Sequence, residues 1–181
     1  EREEKKKSQK QISSSKIKEM TSEEALQRIQ SGQDIFTKDP SITNRSSISL
    51  VIEYRDFSGL FLGDAHADDV IEGLNIAGFG KYQFDVVKIS HHGSERNTKI
   101  ELLDLLGKTE YILCANNETH HNHPNNITLA RIISLDNNPT IHLSSNSSNL
   151  SAKIEEFKRL GCSINETYPS NGMNTLSYEH K

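Results

Sequence analysis

The chain has 181 residues, of which 33% are hydrophobic, and a formal net charge of −4. This length suits a single domain, and the negative charge excludes a broad basic surface for nucleic acid while permitting a local one. No apolar run approaches the roughly 18 residues needed to cross a bilayer. The two cysteines, Cys114 and Cys162, lack metal-ligand spacing. Without a signal peptide, they predict buried, reduced thiols in a cytoplasmic protein that does not contact a membrane.

The first 18 residues are almost entirely charged or polar. Such a segment cannot bury enough apolar surface to offset its ordering entropy, so residues 1–18 are predicted to be a disordered polar linker and residues 19–181 the folded part. Its basic cluster, Lys5 to Lys7, is either solvated or a phosphate contact. A polar start directly before a folded region is typical of a fragment, which a protease, a split gene or a partial chain would each produce. An activating protease could cut there without disturbing a core.

The folded part begins with a capping box. Thr21 and Glu24 have the required spacing and predict a helix over Ser22–Gln30, which Gly32 ends. Further strands and helices then alternate, which predicts an α/β fold with helices packed on a sheet. The predicted elements are a strand at 48–54, a hairpin turn at 56–59 into a strand at 60–62, a helix at 68–78, a strand at 84–90, a helix at 99–106, a strand at 111–115, a helix at 127–135, a strand at 140–143, a helix at 151–160, and paired strands at 163–167 and 175–178.

Two of the predicted strands end in metal-ligand residues. Asp64 follows the apolar run before Gly63, and His91-His92 follow the run that ends at Ser90. A carboxylate or imidazole at the end of a buried strand lies at the rim of a sheet, where the backbone is rigid and solvent has access. That position is typical of an open, catalytic metal site. A capping Asp and a surface His pair are the alternatives.

Adjacent residues at the end of a strand point to opposite sides. Only one of His91 and His92 is therefore expected to bind a given metal, while the other faces substrate or transfers a proton. We favour His92 as the ligand and His91 as the substrate-side group, and the reverse stays open. Gly93 allows close approach of the backbone, and Ser94 is a candidate to bind a phosphate oxygen.

A histidine-rich stretch lies further along the chain. Pro124, with Asn125 or Asn126 as a cap, predicts a helix N-terminus with free amides that suit an anion. His123 just before it is a candidate substrate-side or general-acid residue. The other histidines are assigned lesser roles. His66 is predicted at an exposed helix start, with reach to the site as the alternative, and His120 and His121 in a loop, with an ancillary phosphate contact as the alternative. His142 is predicted to be structural, and His180 lies in the tail.

Four motifs occur in the order Asn44-Arg45-Ser46-Ser47, Gly63-Asp64, His91-His92-Gly93-Ser94 and His123-Pro124. This order resembles the second half of a metallo-β-lactamase fold, in the branch that includes the soluble domain of the DNA-uptake protein ComEC. The resemblance covers about residues 41–180 and implies the C-terminal half of an αββα sandwich, a mixed sheet with helices outside. The signature His-x-His-x-Asp-His of the family, expected upstream, is absent.

The resemblance implies a dinuclear divalent metal site, with zinc as the first choice and manganese as the alternative. Asp64 would bridge the cations and His92 would be a ligand, while His91 and His123 would act in catalysis. Asn44 and Ser47 occupy a position where other members place a ligand. Each would orient a metal-bound water, hydrogen-bond a carboxylate behind the metal ligands or bind substrate, and a simple turn is the alternative. Ser94 would bind substrate.

A catalytic zinc needs about three protein ligands, so we expect this chain to bind metal weakly and to be inactive by itself. An N-terminal half, covalent or separate, would supply the remaining ligands. The assembled site would hydrolyse a phosphodiester, with nucleic acid as the expected substrate, although β-lactams, thioesters and phosphocholine esters are substrates elsewhere in the superfamily. The alternative is a non-catalytic module that acts as an interaction or regulatory subunit.

Overall fold

The computed structural model describes residues 19–80, 82–118 and 122–179. The predicted linker at 1–18, with Lys5 to Lys7, lies outside the described residues, as do His120, His121 and His180. The roles assigned to those positions therefore stay predictions.

The described residues form an α/β fold with one mixed sheet of six strands, which confirms the predicted class. Their spatial order is their chain order, and only the first pair is antiparallel. The strands are β1 Leu50–Tyr54, β2 Phe57–Phe61, β3 Val86–Lys88, β4 Glu110–Leu113, β5 Thr140–Leu143 and β6 Asn165–Thr167.

Every parallel connection in this sheet passes through a helix, and the strand order never reverses. Because such crossovers are right-handed, all of these helices lie on the same face of the sheet. The buried core lies between that face and the helices. The helices are α1 Ser22–Gln30, α2 Ile42–Arg45, α3 Ala67–Ile76, α4 Ile100–Leu106, α5 Asn126–Leu135 and α6 Ser148–Arg159.

Helix α1 has the predicted bounds and the predicted cap. The Glu24 amide donates to Thr21 Oγ1 at 3.2 Å, and the Thr21 amide donates to Glu24 Oε2 at 2.8 Å. Ala25 is fully buried, and Leu26 and Ile29 pack beside it against the core. The helix lies against α5, so the segment before the sheet is fixed to the helical layer.

The opposite face of the sheet is covered only in part. Strand β1 alternates, with Val51 packed against the core and with Leu50, Ile52 and Tyr54 exposed by 53%, 46% and 65% on the other side. The C-terminal segment crosses this second face, where the Tyr178 and Phe57 rings lie 4.8 Å apart. A cavity of about 620 Å³ remains beneath it. No helix in the described ranges is long and apolar enough to span a membrane.

Several predicted details differ from the structure. The hairpin turn is Arg55-Asp56 rather than 56–59, because Arg55 adopts a φ of 55° and Tyr54 pairs directly with Phe57. Strand β6 pairs with β5 in parallel, and residues 175–178 form no strand, because that segment packs by side chains against the sheet face. Cys114 and Cys162 are free, as expected, but only half-buried.

Candidate active site

The candidate residues lie on loops that follow neighbouring parallel strands. Asp64 follows β2, the His91-His92 pair follows β3, and His123 lies between β4 and α5. The carboxyl ends of parallel strands meet at one edge of a sheet, which is the usual position of a site in such folds. The His91 amide donates to the Gly63 carbonyl at 2.9 Å, which joins the first two loops.

The three histidine rings face a common space. The ring centroid of His91 lies 6.0 Å from that of His92 and 5.3 Å from that of His123, and the His92 and His123 centroids are 6.5 Å apart. His92 is exposed, and the other two are half-buried. The structure thus brings together imidazoles that are about 30 residues apart in the sequence.

The histidine pair does not continue a strand. Strand β3 ends at Lys88, and Ser90–Gly93 form a 3₁₀ turn in which His91 and His92 have φ values of 43° and 57°. The expectation that alternation in a strand separates the two side chains was therefore wrong. Positive φ is uncommon for residues other than glycine, and such strained positions cluster at functional sites. Ser90 Oγ stabilises the turn by donating to the Ala65 carbonyl at 2.7 Å.

Hydrogen bonds define the tautomer of both rings. His92 Nδ1 lies 2.5 Å from the Cys114 carbonyl oxygen, which can only accept. His91 Nδ1 lies 3.0 Å from Asn97 Oδ1, an acceptor, and 3.3 Å from Asn44 Nδ2, a donor. The shorter contact and the Asp39 carboxylate, 3.6 Å away, favour the proton on Nδ1. Nδ1 is thus the donor in each ring, and in the neutral imidazole Nε2 is left as the acceptor. An imidazole held in this way is suited to bind a metal or take a proton through Nε2.

Asp39 and Asn97 form a buried network that the sequence motifs did not predict. Asp39, which is 7% exposed, accepts from Asn44 Nδ2 at 2.7 Å, from the Ser41 amide at 2.9 Å and from Asn97 Nδ2 at 3.1 Å. Asn97 also donates to the Asp64 carbonyl oxygen at 3.1 Å. One amide side chain thus connects the loop of Asp64 to the ring of His91. The sequence signal at Asp39 is a turn, which the following Pro40 predicts.

The Asp39 carboxylate is charged at neutral pH. Burial opposes the charge, but hydrogen bonds from the Asn44 side chain, the Ser41 amide and the Asn97 side chain, together with nearby His66, hold the pKa of Asp39 below its ordinary value. Its Oδ2 lies 3.6 Å from His91 Nδ1. A negative charge at this position favours the proton on Nδ1, in agreement with the tautomer above.

Asn44 and Ser47 precede β1, as the sequence indicated. Asn44 lies in the one-turn helix α2, and its side-chain amide donates to the Asp39 carboxylate. Ser47 packs against Gly63, where an added Cβ would lie 3.3 Å from the Ser47 Cβ. Ser94 is buried, and its Oγ accepts from the Arg96 amide at 3.2 Å. All three therefore contact the loops of the site.

The His123 loop is fastened to the histidine turn. The Asn125 amide donates to the Gly93 carbonyl at 3.0 Å, and the Glu95 amide donates to Asn125 Oδ1 at 2.9 Å. At Gly93 a Cβ would lie 2.6 Å from the Pro124 Cβ. Glycine is therefore required for this approach of the two loops.

The start of α5 does not present all of its amides to an outside anion. The Asn126 amide donates to Glu19 Oε1 at 2.8 Å, so a carboxylate of the same chain occupies this position. The sequence could not show this, because Glu19 and Asn126 are 107 residues apart. The prediction of a free anion site at this helix was wrong for that amide.

The two remaining described histidines lie in different environments. His66 is 3% exposed rather than open to solvent, because its ring packs between Asp39 and Asp69, 3.8 and 3.9 Å away. His142 bridges Glu110 and Thr167 on the neighbouring strands, at 3.0 and 2.9 Å. Within the described ranges, no group of three or more His, Cys, Asp or Glu side chains is arranged to hold a metal ion.

Comparisons with known proteins give one partial similarity. ComE operon protein 3 of Bacillus subtilis is 33% identical over 110 residues, which are 57% of this chain and 14% of that protein. The chain thus corresponds to a small part of the length of this relative. No family model and no solved structure matches. The similarity supports the ComEC-like relationship that the four motifs indicate.

Proposed function

We propose that this chain forms the C-terminal half of a metallo-β-lactamase-type hydrolase that cleaves phosphodiester bonds, with nucleic acid as the substrate. The observation that carries the proposal is the meeting of the Asp64 loop, the His91-His92 turn and the His123 loop at one end of a parallel sheet. Both ring tautomers leave Nε2 as the acceptor.

The form of the sheet supports an N-terminal half as the partner. The crossover helices lie on one face only, while Leu50, Ile52 and Tyr54 expose apolar surface on the other. In an αββα sandwich this second face packs against another sheet, at a distance of about 10 Å. The partner would be either a covalent extension of the chain or a separate polypeptide.

The donor atoms of the site suit a divalent metal, but this chain has too few of them to form a complete metal site. Asp64 and His92 would hold zinc or manganese, since carboxylate oxygen and imidazole nitrogen suit both. Further ligands would come from the N-terminal half. When bound, a divalent cation supplies Lewis-acid chemistry to a phosphoryl oxygen.

Two histidines of this chain would each carry out one of the two proton transfers. His91 Nε2 accepts the proton of the attacking water, while Asn97 and Asp39 hold the opposite ring nitrogen protonated. His123, 5.3 Å from His91 between ring centroids, donates to the leaving oxygen.

The test uses the protein from its native host, purified together with the polypeptide that completes it. We expect zinc or manganese by elemental analysis and cleavage of bis(p-nitrophenyl) phosphate and of DNA. A preparation that holds neither metal and cleaves neither substrate would overturn the proposal and favour the non-catalytic module.

A further inference from the structure

Helix α6 carries a buried lysine that the proposed chemistry does not use. Lys153 is 7% exposed. Its Nζ donates to Glu19 Oε1 at 2.8 Å and Oε2 at 3.0 Å, to the Asn122 carbonyl at 3.0 Å and to the Pro124 carbonyl at 2.7 Å. A buried ammonium is costly unless it is paired and hydrogen-bonded, and here the ion pair and two carbonyls meet that condition.

The two carbonyls belong to the residues on either side of His123. The ammonium therefore holds the backbone immediately before and immediately after that histidine. Glu19 acts on the same loop from its other end, because its Oε1 also accepts from the Asn126 amide at 2.8 Å. A second bond from the same region, Asn126 Nδ2 to the Met20 carbonyl at 2.8 Å, strengthens this attachment.

Lys158 on the same helix provides a comparison. It pairs with Glu166 and with Glu155, and its side chain is 31% exposed. Its partners lie on β6 and on α6 itself, so this pair does not contact the His123 loop. Burial lowers the pKa of Lys153 and Glu19 opposes that shift, whereas the bond to Glu166 raises the pKa of Lys158. Both lysines thus lie on α6 and pair with glutamate, but only Lys153 is buried and contacts the His123 loop.

We propose that Lys153, paired with Glu19, is a positioning residue that holds the His123 ring at the candidate active site. This inference rests on the proposed function for the role of His123 in turnover, but the positioning itself is a property of the loop. The Glu19–Lys153 pair joins α6 and the segment before α1 to the loop that connects β4 and α5.

The test compares Lys153→Met, Glu19→Gln and the control Lys158→Met in the protein assembled with its completing half. The rate of amide hydrogen exchange across 122–126 measures how often the loop opens. The values of kcat and KM on bis(p-nitrophenyl) phosphate measure the effect on hydrolysis. Lys153→Met should speed exchange in this segment and lower kcat roughly 10–100-fold, since small misplacements of a catalytic group have effects of that size. KM and metal content should stay near those of the unmodified protein.

Glu19→Gln keeps the Asn122 and Pro124 contacts of the ammonium, so it should give a smaller change confined to the same segment. It also provides the test if Lys153→Met does not fold. Lys158→Met should leave exchange across 122–126 and kcat unchanged.

Unchanged exchange across 122–126 in both Lys153→Met and Glu19→Gln would overturn the positioning role, as would exchange that rises equally throughout the chain. A protein that lacks phosphodiesterase activity before any substitution would contradict the proposed function instead. In that case the exchange measurement still decides whether Lys153 holds the loop.

Discussion

The His91-His92 turn places two adjacent imidazoles in different hydrogen-bonding environments. Both rings donate through Nδ1, but His92 does so to a backbone carbonyl and His91 to the Asn97 side chain, which Asp39 holds in turn. Metal-binding imidazoles donate to carbonyl and to carboxylate-linked partners alike, so His92 stays the predicted ligand and His91 the predicted proton-transfer group.

We therefore expect His92→Ala to remove metal and activity together in the assembled protein. His91→Ala and His123→Ala should lower kcat while metal content stays largely intact, because neither is assigned as a ligand. Elemental analysis and steady-state kinetics on the three variants check this. Loss of metal in His91→Ala with retention in His92→Ala would show that the two roles are reversed.

The motifs singled out Asp64 and the His91-His92 pair because each closes an apolar run, and His123 because it precedes a predicted helix start. They could not predict Asp39, Asn97 or Lys153, whose roles depend on contacts made only after folding. Asp39 and Asn97 are 58 residues apart, and Lys153 and Glu19 are 134 residues apart. A polar residue that acts through such contacts has no local signal.

At the scale of elements, the order of strands and helices followed from hydrophobic pattern and caps, while their ends often did not. Helix α1 has both halves of its capping box in the sequence, and its bounds were correct. Strand β3 was predicted at 84–90 but spans only Val86–Lys88, and a 3₁₀ turn with left-handed His91 and His92 begins at Ser90. No residue pattern requires that turn.

The approach of the His91-His92 turn to the His123 loop depends on one glycine. Gly93→Ala would place a Cβ 2.6 Å from the Pro124 Cβ at a φ of 82°, so we expect a loss of stability of roughly 1–3 kcal/mol. The matched control is Gly73→Ala in α3, where no atom lies within 4 Å of the added Cβ. Since alanine is favoured over glycine in a helix, that variant should gain about 0.5–1 kcal/mol. Urea unfolding of both variants measures the free energy of unfolding, which should fall for Gly93→Ala and rise for Gly73→Ala.

An ion pair links the start of α3 to the residue before α4. Lys99 Nζ donates to Asp68 Oδ1 at 2.5 Å, and this bond, against the effect of burial and with help from Lys38, holds the pKa of Asp68 below its ordinary value of 3.8. Such a carboxylate stabilises the fold above its unfolded pKa, and the contribution is lost as the pH falls through the lower folded pKa.

Asp68→Asn should therefore be less stable than the unmodified protein at pH 7, by at most about 1 kcal/mol because the pair is partly exposed. The difference should shrink as the pH falls below 3.8. Thermal unfolding from pH 7 to pH 3 measures it, with Asp104→Asn on the exposed side of α4 as the control. A difference that is constant across this range would rule out the ion pair as its source.

At the scale of the whole molecule, helices cover one face of the sheet, and the C-terminal segment covers the other face only in part. The sequence predicted the helix-covered face from the family resemblance, and the strand order gives an independent reason, since crossovers of one hand place every connecting helix on the same side. How far the C-terminal segment covers the second face was not predictable, because residues 175–178 alternate like a strand but pair with none.

The exposed part of that face should make the isolated chain associate. Replacing Leu50 and Ile52 with lysine should reduce association, whereas Ile35→Lys, which is also exposed but outside the sheet, should not. Size-exclusion chromatography measures the difference. A monomeric, cooperatively unfolding chain without these substitutions would contradict an unfinished face.

The most direct test of the central claim is the metal content of Asp64→Ala in the assembled protein, compared with Asp104→Ala. Asp64 lies at the junction of the loops that follow β2 and β3, whereas Asp104 is exposed on α4. If this chain supplies half of a metallohydrolase site, Asp64→Ala should lose at least one zinc or manganese per molecule, and Asp104→Ala should retain the content of the unmodified protein. Equal metal content in the two variants would contradict the claim.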